Sequence, residues 1–311
     1  MKRYISTVSI FSSILLFVIS SSAYSLTADE ITKLQAPDGA DGDAFGFSIS
    51  IDNTTMAVGA IRHDDNGVDT GSVYILDKDI SGNWLHTVKL NASDAVAGDF
   101  FGLQVSLKGD ELFVGSRPDN GVNDDGAVYI FKRDASGTWL ESAKLTPPAN
   151  SNTGTNSNFS AALAVDGDTL LVGSSQDDVA GGNAGAVFVY QRDMSGNWGY
   201  QTTILPPQSS TQFFGISISL DGNTALIGAS WDADAGVRAG AAFIYERDGN
   251  GNWLLQDKLL ASDAMPDDNF GQRVTLRAGT AVIASPWNDE KGANAGAIYV
   301  FEKNVSGVWN Q

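Results

Sequence analysis

The chain contains no cysteine in 311 residues. That excludes a disulfide framework, a thiolate metal site, a cysteine nucleophile and a cysteine-linked lipid. Histidine is nearly absent too: His63 falls in a polar loop and His86 in an alternating segment. Neither shows a His/Glu metal-ligand spacing, and no serine-centred elbow motif is present. No segment has a helical period. Past the first 25 residues no apolar run is long enough to span a bilayer. Positive charge is scarce, with 19 Lys and Arg against 37 Asp and Glu and a net charge of −18. Such a chain repels nucleic acid and anionic membranes; its acid either draws cations and basic partners or only maintains solubility.

The N-terminus reads as a signal peptide over residues 1–25. Lys2 and Arg3 form a basic start, Ile10 to Ile19 a short apolar run, and Ala23-Tyr24-Ser25 a small-residue cleavage region. The mature chain, 26–311, is expected to be one secreted, soluble domain, extracellular or periplasmic, with no membrane insertion once the signal is removed. Without staples it must be held by burial, which at this size can cover roughly three quarters of the unfolded surface.

What the chain has in abundance is repetition. Trp84, Trp139, Trp198, Trp253 and Trp309 recur in register, each just after a glycine. Phe45-Gly46, Phe101-Gly102, Phe214-Gly215 and Phe270-Gly271 recur as well, with Phe159-Ser160 a degraded copy. In one unit Phe45, Phe47, Ile49 and Ile51 alternate with Gly46, Ser48 and Ser50, a period of two that predicts a strand. A second strand, TTMAVGA, follows a tight turn. Val73 to Leu76 is apolar on both faces, a strand buried on both sides, and WLHTVKL is a half-polar outer strand. Short strands in fours, repeated, predict an all-β fold, a β-propeller of five four-stranded blades. The last copy stops after Trp309, and EITKLQAPDGADGDAFG near the N-terminus matches HTVKLNASDAVAGDFFG. The segment Ile31 to Gln35 is therefore expected to pair into the last blade and close the ring, hiding an open edge.

These residues resemble the FG-GAP repeat family, known from the N-terminal propellers of integrin α chains. The Phe-Gly pairs carry its first element; Gly59-Ala60, Gly115-Ser116, Gly173-Ser174, Gly228-Ala229 and the weaker Ala284-Ser285-Pro286 carry its second. The resemblance implies a binding or adhesion scaffold and covers the whole mature chain. Integrin propellers have seven blades, whereas this chain supplies five. The family's calcium loops are replaced by turns too tight to wrap a hard cation, such as Asp52-Asn53.

The expected function is a secreted, non-catalytic module recognising a protein or glycan. The long 2–3 loops and the interblade loops share one face of a meander blade, and that face carries the acid. Trp231 and Trp287 follow the second element in adjacent blades, beside Asp232 and Asp289, and with His63 form the candidate ligand site. Asp38/Asp43, Asp94/Asp99 and Asp263/Asp268 recur at two places in three interblade loops. They would form an arc for a cation or a basic partner, or each Asp would bond backbone N–H groups of its own turn. No cofactor is expected; calcium on the arc is the one ion the pattern suggests. The chain is expected not to be an enzyme. The alternatives are a five-bladed glycoside hydrolase using Asp43, Asp99 or Asp268, and a purely structural surface or matrix protein.

Overall fold

In blades two, four and five the Phe-Gly pair is the point at which the blade meets the blade before it. Gly46, Gly102, Gly215 and Gly271 all take positive φ, between 85° and 95°, a region that costs any residue with a Cβ. The bend turns the phenylalanine ring into the core and the glycine carbonyl out of the strand. The degraded copy pays sterically: Ser160 holds φ 73° and spends its hydroxyl on the Ser116 carbonyl of the preceding blade, at 2.9 Å.

The computed structural model describes residues 30–117, 126–149, 151, 157–208 and 210–311. The signal-like segment 1–25 lies outside them. Met1–Leu34 and Gln35–Gln311 are separate units, and every strand lies in the second. Blade one is β1 (Phe45–Asp52), β2 (Thr55–Ala60), β3 (Ser72–Lys78) and β4 (Trp84–Leu90). Blade two is β5 (Gln104–Lys108), β6 (Glu111–Ser116), β7 (Ala127–Arg133) and β8 (Trp139–Leu145). Blade three is β9 (Phe159–Asp166), β10 (Thr169–Ser174), β11 (Ala186–Arg192) and β12 (Trp198–Ile204). Blade four is β13 (Phe214–Asp221), β14 (Thr224–Ala229), β15 (Ala241–Arg247) and β16 (Trp253–Leu259). Blade five is β17 (Arg273–Arg277), β18 (Thr280–Ser285), β19 (Ala297–Lys303) and β20 (Trp309–Asn310). Each blade is an antiparallel meander in chain order, giving the expected five-bladed all-β propeller. No helix among the described residues is long and apolar enough to cross a membrane.

Neighbouring blades join through a shared core. Val73 and Ile75 of β3 pack with Val105 and Leu107 of β5, and the same classes meet between blades two and three, three and four, and four and five. The backbones approach closely there. A Cβ on Gly59, Gly173 or Gly228 would lie 2.2, 2.1 or 2.0 Å from the carbonyl oxygen of Gly102, Gly215 or Gly271 in the next blade. Main-chain bonds add to this, such as Phe101 N–H to Thr70 O at 2.9 Å and Phe270 N–H to Ala239 O at 2.9 Å. The small face of the inner strand contributes side-chain bonds: Ser48 Oγ donates to Gly102 O at 2.6 Å and Ser217 Oγ to Gly271 O at 2.8 Å. The recurrent tryptophans pack, as expected; Trp198 meets Phe113 of the preceding blade edge-on at 5.2 Å.

The expected closure by the leading segment is corrected. Residues 30–44 contain no strand, and the outer place in blade five is taken by β20, which pairs only Asn310 with Glu302 and Trp309 with Lys303. The likeness of TKL to VKL is one of side-chain pattern, and pattern alone does not create a pairing edge. The buried character expected of third strands holds for β3, β7, β11 and β15 but not for β19.

The interface glycines have ordinary φ at Gly173 and Gly228, so their role is steric. Gly173→Ala is expected to destabilise the fold by about 1–3 kcal/mol through overpacking, read as a lower midpoint in urea unfolding. Gly182→Ala, where a Cβ meets nothing within 4 Å, is expected to stay within about 0.5 kcal/mol of wild type.

Candidate functional site at the propeller axis

The three recurring Asp pairs do two separate jobs. Asp43, Asp99 and Asp268 are buried, and each accepts the backbone N–H three residues earlier: Ala40 at 2.7 Å, Val96 at 2.8 Å and Met265 at 3.0 Å. This is the turn-stabilising arrangement that short Asp side chains favour. Asp38, Asp94 and Asp263 instead receive a tyrosine hydroxyl from their own blade, Tyr74, Tyr129 and Tyr299, each at 2.7 Å. A lysine from the outer strand completes two of these: Lys89 Nζ lies 2.5 Å from Asp38 and Lys144 Nζ 2.8 Å from Asp94. Each pair is thus bonded within its own blade.

His63 is buried at the centre of the first such cluster. Its Nδ1 lies 2.9 Å from Asp43, and its Nε2 lies 3.1 Å from Lys89 Nζ and 3.1 Å from Asp65. An Nδ1–H tautomer satisfies both the Asp43 and the Lys89 contacts. Asp38, His63 and Asp65 offer ligand atoms within 4.8 Å of one another. The donor set nevertheless suits an ammonium rather than a divalent ion, because Lys89 bridges Asp38 and Asp65 and a metal would have to displace it. Hydrogen bonding from Lys89, then from Tyr74, lowers the Asp38 carboxyl from 3.8 to about 2. Burial first, and Asp38 second, raise the Tyr74 phenol.

The other candidate residues are less united. Asp232 is fully buried and bonded to Thr211 at 2.8 Å and Lys258 at 2.8 Å. Trp231 lies on Phe213 with ring centroids 4.3 Å apart and under the Arg238 guanidinium at 5.5 Å. Asp289 accepts Asn294 N–H at 2.6 Å. Trp287 alone presents a large apolar surface, at 47% exposure.

A different group of residues converges on the axis. A cavity of about 160 Å³ is lined from all five blades, with Gln104, Arg117, Asn158, Gln272 and Arg273 as its polar groups and Phe47, Leu103, Phe159, Ala161 and Ile216 as its apolar wall. Arg117 directly follows β6, and Arg273 begins β17. Neither guanidinium forms an ion pair with a carboxylate among the described residues. Gln104 and Arg273 occupy the inner-strand position held by Ser48, Ala162 and Ser217 in the other blades. That break in the small-residue face is the signal a reading of the repeats could have used. Two guanidinium groups on exposed residues and three amides lining one small cavity have the chemistry to bond an anion.

The model of a family described as FG-GAP repeat matches the chain five times, at residues 29–76, 84–131, 139–190, 198–245 and 253–301. Among curated proteins none matches it. A solved structure of a periplasmic gluconolactonase from Pseudomonas aeruginosa is similar at 17% identity and a TM-score of 0.55, over 85% of this chain and 70% of that one. A protein from Lactobacillus plantarum is similar at 12% identity and a TM-score of 0.54, over 84% of this chain and 68% of that one. At such identities the likeness is one of fold. It still overturns the expectation that the chain is not an enzyme, since a protein of this fold bears the name of a lactone hydrolase. The absence of a local nucleophile motif excludes little here, because an axial site takes single residues from separate blades.

Asp38 has its carboxyl depressed in the folded state, so its contribution to stability is complete above the ordinary carboxylate range. That contribution is lost as pH falls from about 5 toward about 2. Lys89→Met is expected to move the acid-unfolding midpoint, followed by circular dichroism, to higher pH. Lys291→Met, at an exposed pair with Glu290, is expected to leave it in place.

Proposed function

Since the chain belongs to the FG-GAP repeat family, we propose that it is an exported propeller binding a small, polyhydroxylated anion of the sugar-acid type in its axial cavity. The observation that carries this reading is the meeting of Arg117 and Arg273 with Gln104, Asn158 and Gln272 in a chain of net charge −18. Long-range attraction cannot bring an anion to so acidic a molecule, so the local charge of two arginines that pair with no carboxylate among the described residues is what would hold one there. A carboxylate satisfies a guanidinium fork, amides suit hydroxyl groups, and the exposed Phe47 offers a ring face to the carbon skeleton. The small volume fits a metabolite rather than a polymer.

A hydrolytic version of the same reading draws support from the gluconolactonase likeness: a sugar lactone would enter and the matching acid would leave. Export rests on the basic and apolar N-terminal segment and on the periplasmic source named for that neighbour. The adhesion reading has less behind it, because His63 and Asp232 are buried and already bonded, to Asp43 and to Lys258.

Calorimetry with gluconate is expected to give saturable binding, with glucose markedly weaker. Arg117→Ala and Arg273→Ala are each expected to weaken gluconate about tenfold or more, as loss of a charged hydrogen bond does. Glucono-lactone turnover measured beside it separates binding from hydrolysis. Equal affinity in wild type and both variants would remove the axial site.

A further inference from the structure

Where one blade packs on the next, the cation that ends the later blade's third strand reaches back to the earlier blade. Between blades one and two Arg133 meets Asp77 at 3.2 Å. Between blades two and three Arg192 meets Glu111 at 2.8 Å, and between blades four and five Lys303 meets Glu246. Arg247, between blades three and four, departs from this. Its Nη1 donates to Thr169 Oγ1 at 2.7 Å and to Gln191 Oε1 at 3.2 Å in blade three. Its Nε and Nη2 donate to Asn223 Oδ1 of its own blade, at 3.0 and 2.7 Å. Every one of these acceptors is neutral. Arg192 has Asp168 and Glu111 at the places of Asn223 and Thr169, and Asp77 and Glu246 stand where Gln191 stands. The Arg247 guanidinium is thus held in position while no carboxylate pairs with it among the described residues. The neighbouring Asp248 turns to its own loop, accepting Asn250 N–H at 2.8 Å and Asn252 N–H at 2.9 Å.

Arg247 lines a groove of about 570 Å³ between blades three and four. One wall is β12, with Gln201, Thr202 and Thr203; the other is the turn into β16, with Asn250, Asn252 and Trp253. Tyr245 ties the walls together, its hydroxyl donating to Leu205 O at 3.2 Å. The strand β12 carries no charged residue, and Thr203 stands where Lys89, Lys144 and Lys258 stand in other outer strands. Gln201 is the extra residue of a bulge, since Val189 pairs with Thr202 and Tyr190 with Tyr200. The matching bulge residues Thr87 and Ser142 turn their hydroxyls back to Ile75 O and Ile130 O, at 3.1 and 3.0 Å. Gln201 has no such hydroxyl and lines the groove. Trp253 is half-buried where Trp139 and Trp198 are buried, and the Arg247 guanidinium lies 5.7 Å from its ring centroid.

We propose that this groove is a second binding site, separate from the axial cavity, for a short acidic saccharide built of uronate residues. A guanidinium has five N–H groups. The four contacts above leave one on Nη2, which suits a single ligand carboxylate. Amides and hydroxyls on both walls match sugar hydroxyls, and the indole offers a face to a sugar ring. The volume lies in the range of pockets that hold a ligand larger than a single small acid. An acidic peptide adding itself as a strand is disfavoured, because the bulge at Gln201 interrupts the edge it would pair with. The groove shares no lining residue with the axial cavity, so either site can fail without the other.

Calorimetry of the full chain with trigalacturonate, its neutral methyl ester and a glutamate-rich peptide tests this. Trigalacturonate is expected to bind saturably, with the ester weaker by about tenfold or more and the peptide silent. Gln191→Glu gives Arg247 the carboxylate that Asp77 and Glu246 supply elsewhere. It is expected to remain folded by circular dichroism and to weaken trigalacturonate by about tenfold or more. Gln201→Ala, at an exposed position, is expected to weaken it by about threefold with an unchanged unfolding midpoint. That variant decides the matter should Gln191→Glu fail to fold. Absent trigalacturonate binding, equal affinity for the ester, or equal affinity for the peptide overturns the proposal. So does wild-type affinity in the folded variants. A loss of trigalacturonate affinity in Arg117→Ala instead would put the saccharide at the axis and also overturn it.

Discussion

The molecule depends on the place where a blade's glycine lies under the carbonyl of the next blade's Phe-Gly turn. At Gly173 the space left for a Cβ is 2.1 Å from Gly215 O, so two main chains are in direct contact. Backbone contact of this kind leaves little freedom, unlike side-chain packing, which can re-sort rotamers. It sets the angle between blades and thereby the radius of the axis. Both family elements follow from it: a Gly that can bend at positive φ and expose its carbonyl, and a second Gly that has no Cβ in the way.

Because the angle is fixed at the inner strands, side chains early in those strands are held at the axis with little work of their own. Gln104 and Arg273 each stand at the first residue of their inner strand. This explains how a chain built from near-copies can hold an asymmetric site. Packing demands small residues on that face only where the next blade presses, so a long polar side chain is tolerated wherever it can turn inward.

Much of this architecture was legible in the sequence. Tryptophan spacing and Phe-Gly register located the blades, and the alternation in FGFSISID separated the face toward the preceding blade from the face that bonds the next through Ser48. The turn role of Asp43, Asp99 and Asp268 was among the readings available, because short Asp side chains bond nearby backbone. What stayed hidden was pairing across distance. Lys89 was visible as part of a repeated VKL, but only the fold brings it to Asp38. The segment near Ile31 carried the right pattern for an outer strand, and pattern could not say that β20 would take that place. The axial arginines were hidden for another reason: they are departures from the repeat, and attention to what recurs passes over what does not.

The distribution of charge follows from the same geometry. A chain with about twice as many acids as bases cannot pair every carboxylate, and the described clusters show which ones it does pair. Lysines at the ends of outer strands are committed to loop aspartates of their own blade, as in Lys89 with Asp38 and Lys144 with Asp94. Arginines and a lysine at the ends of third strands are committed to the neighbouring blade, as in Arg133 with Asp77 and Lys303 with Glu246. With so few cations available, one placed where no carboxylate answers it forgoes a partner that other positions use. Among the described residues, Arg117 and Arg273, which line the axial cavity, are in that condition. A small anion bound at the axis would supply the negative charge that these two guanidinium groups lack.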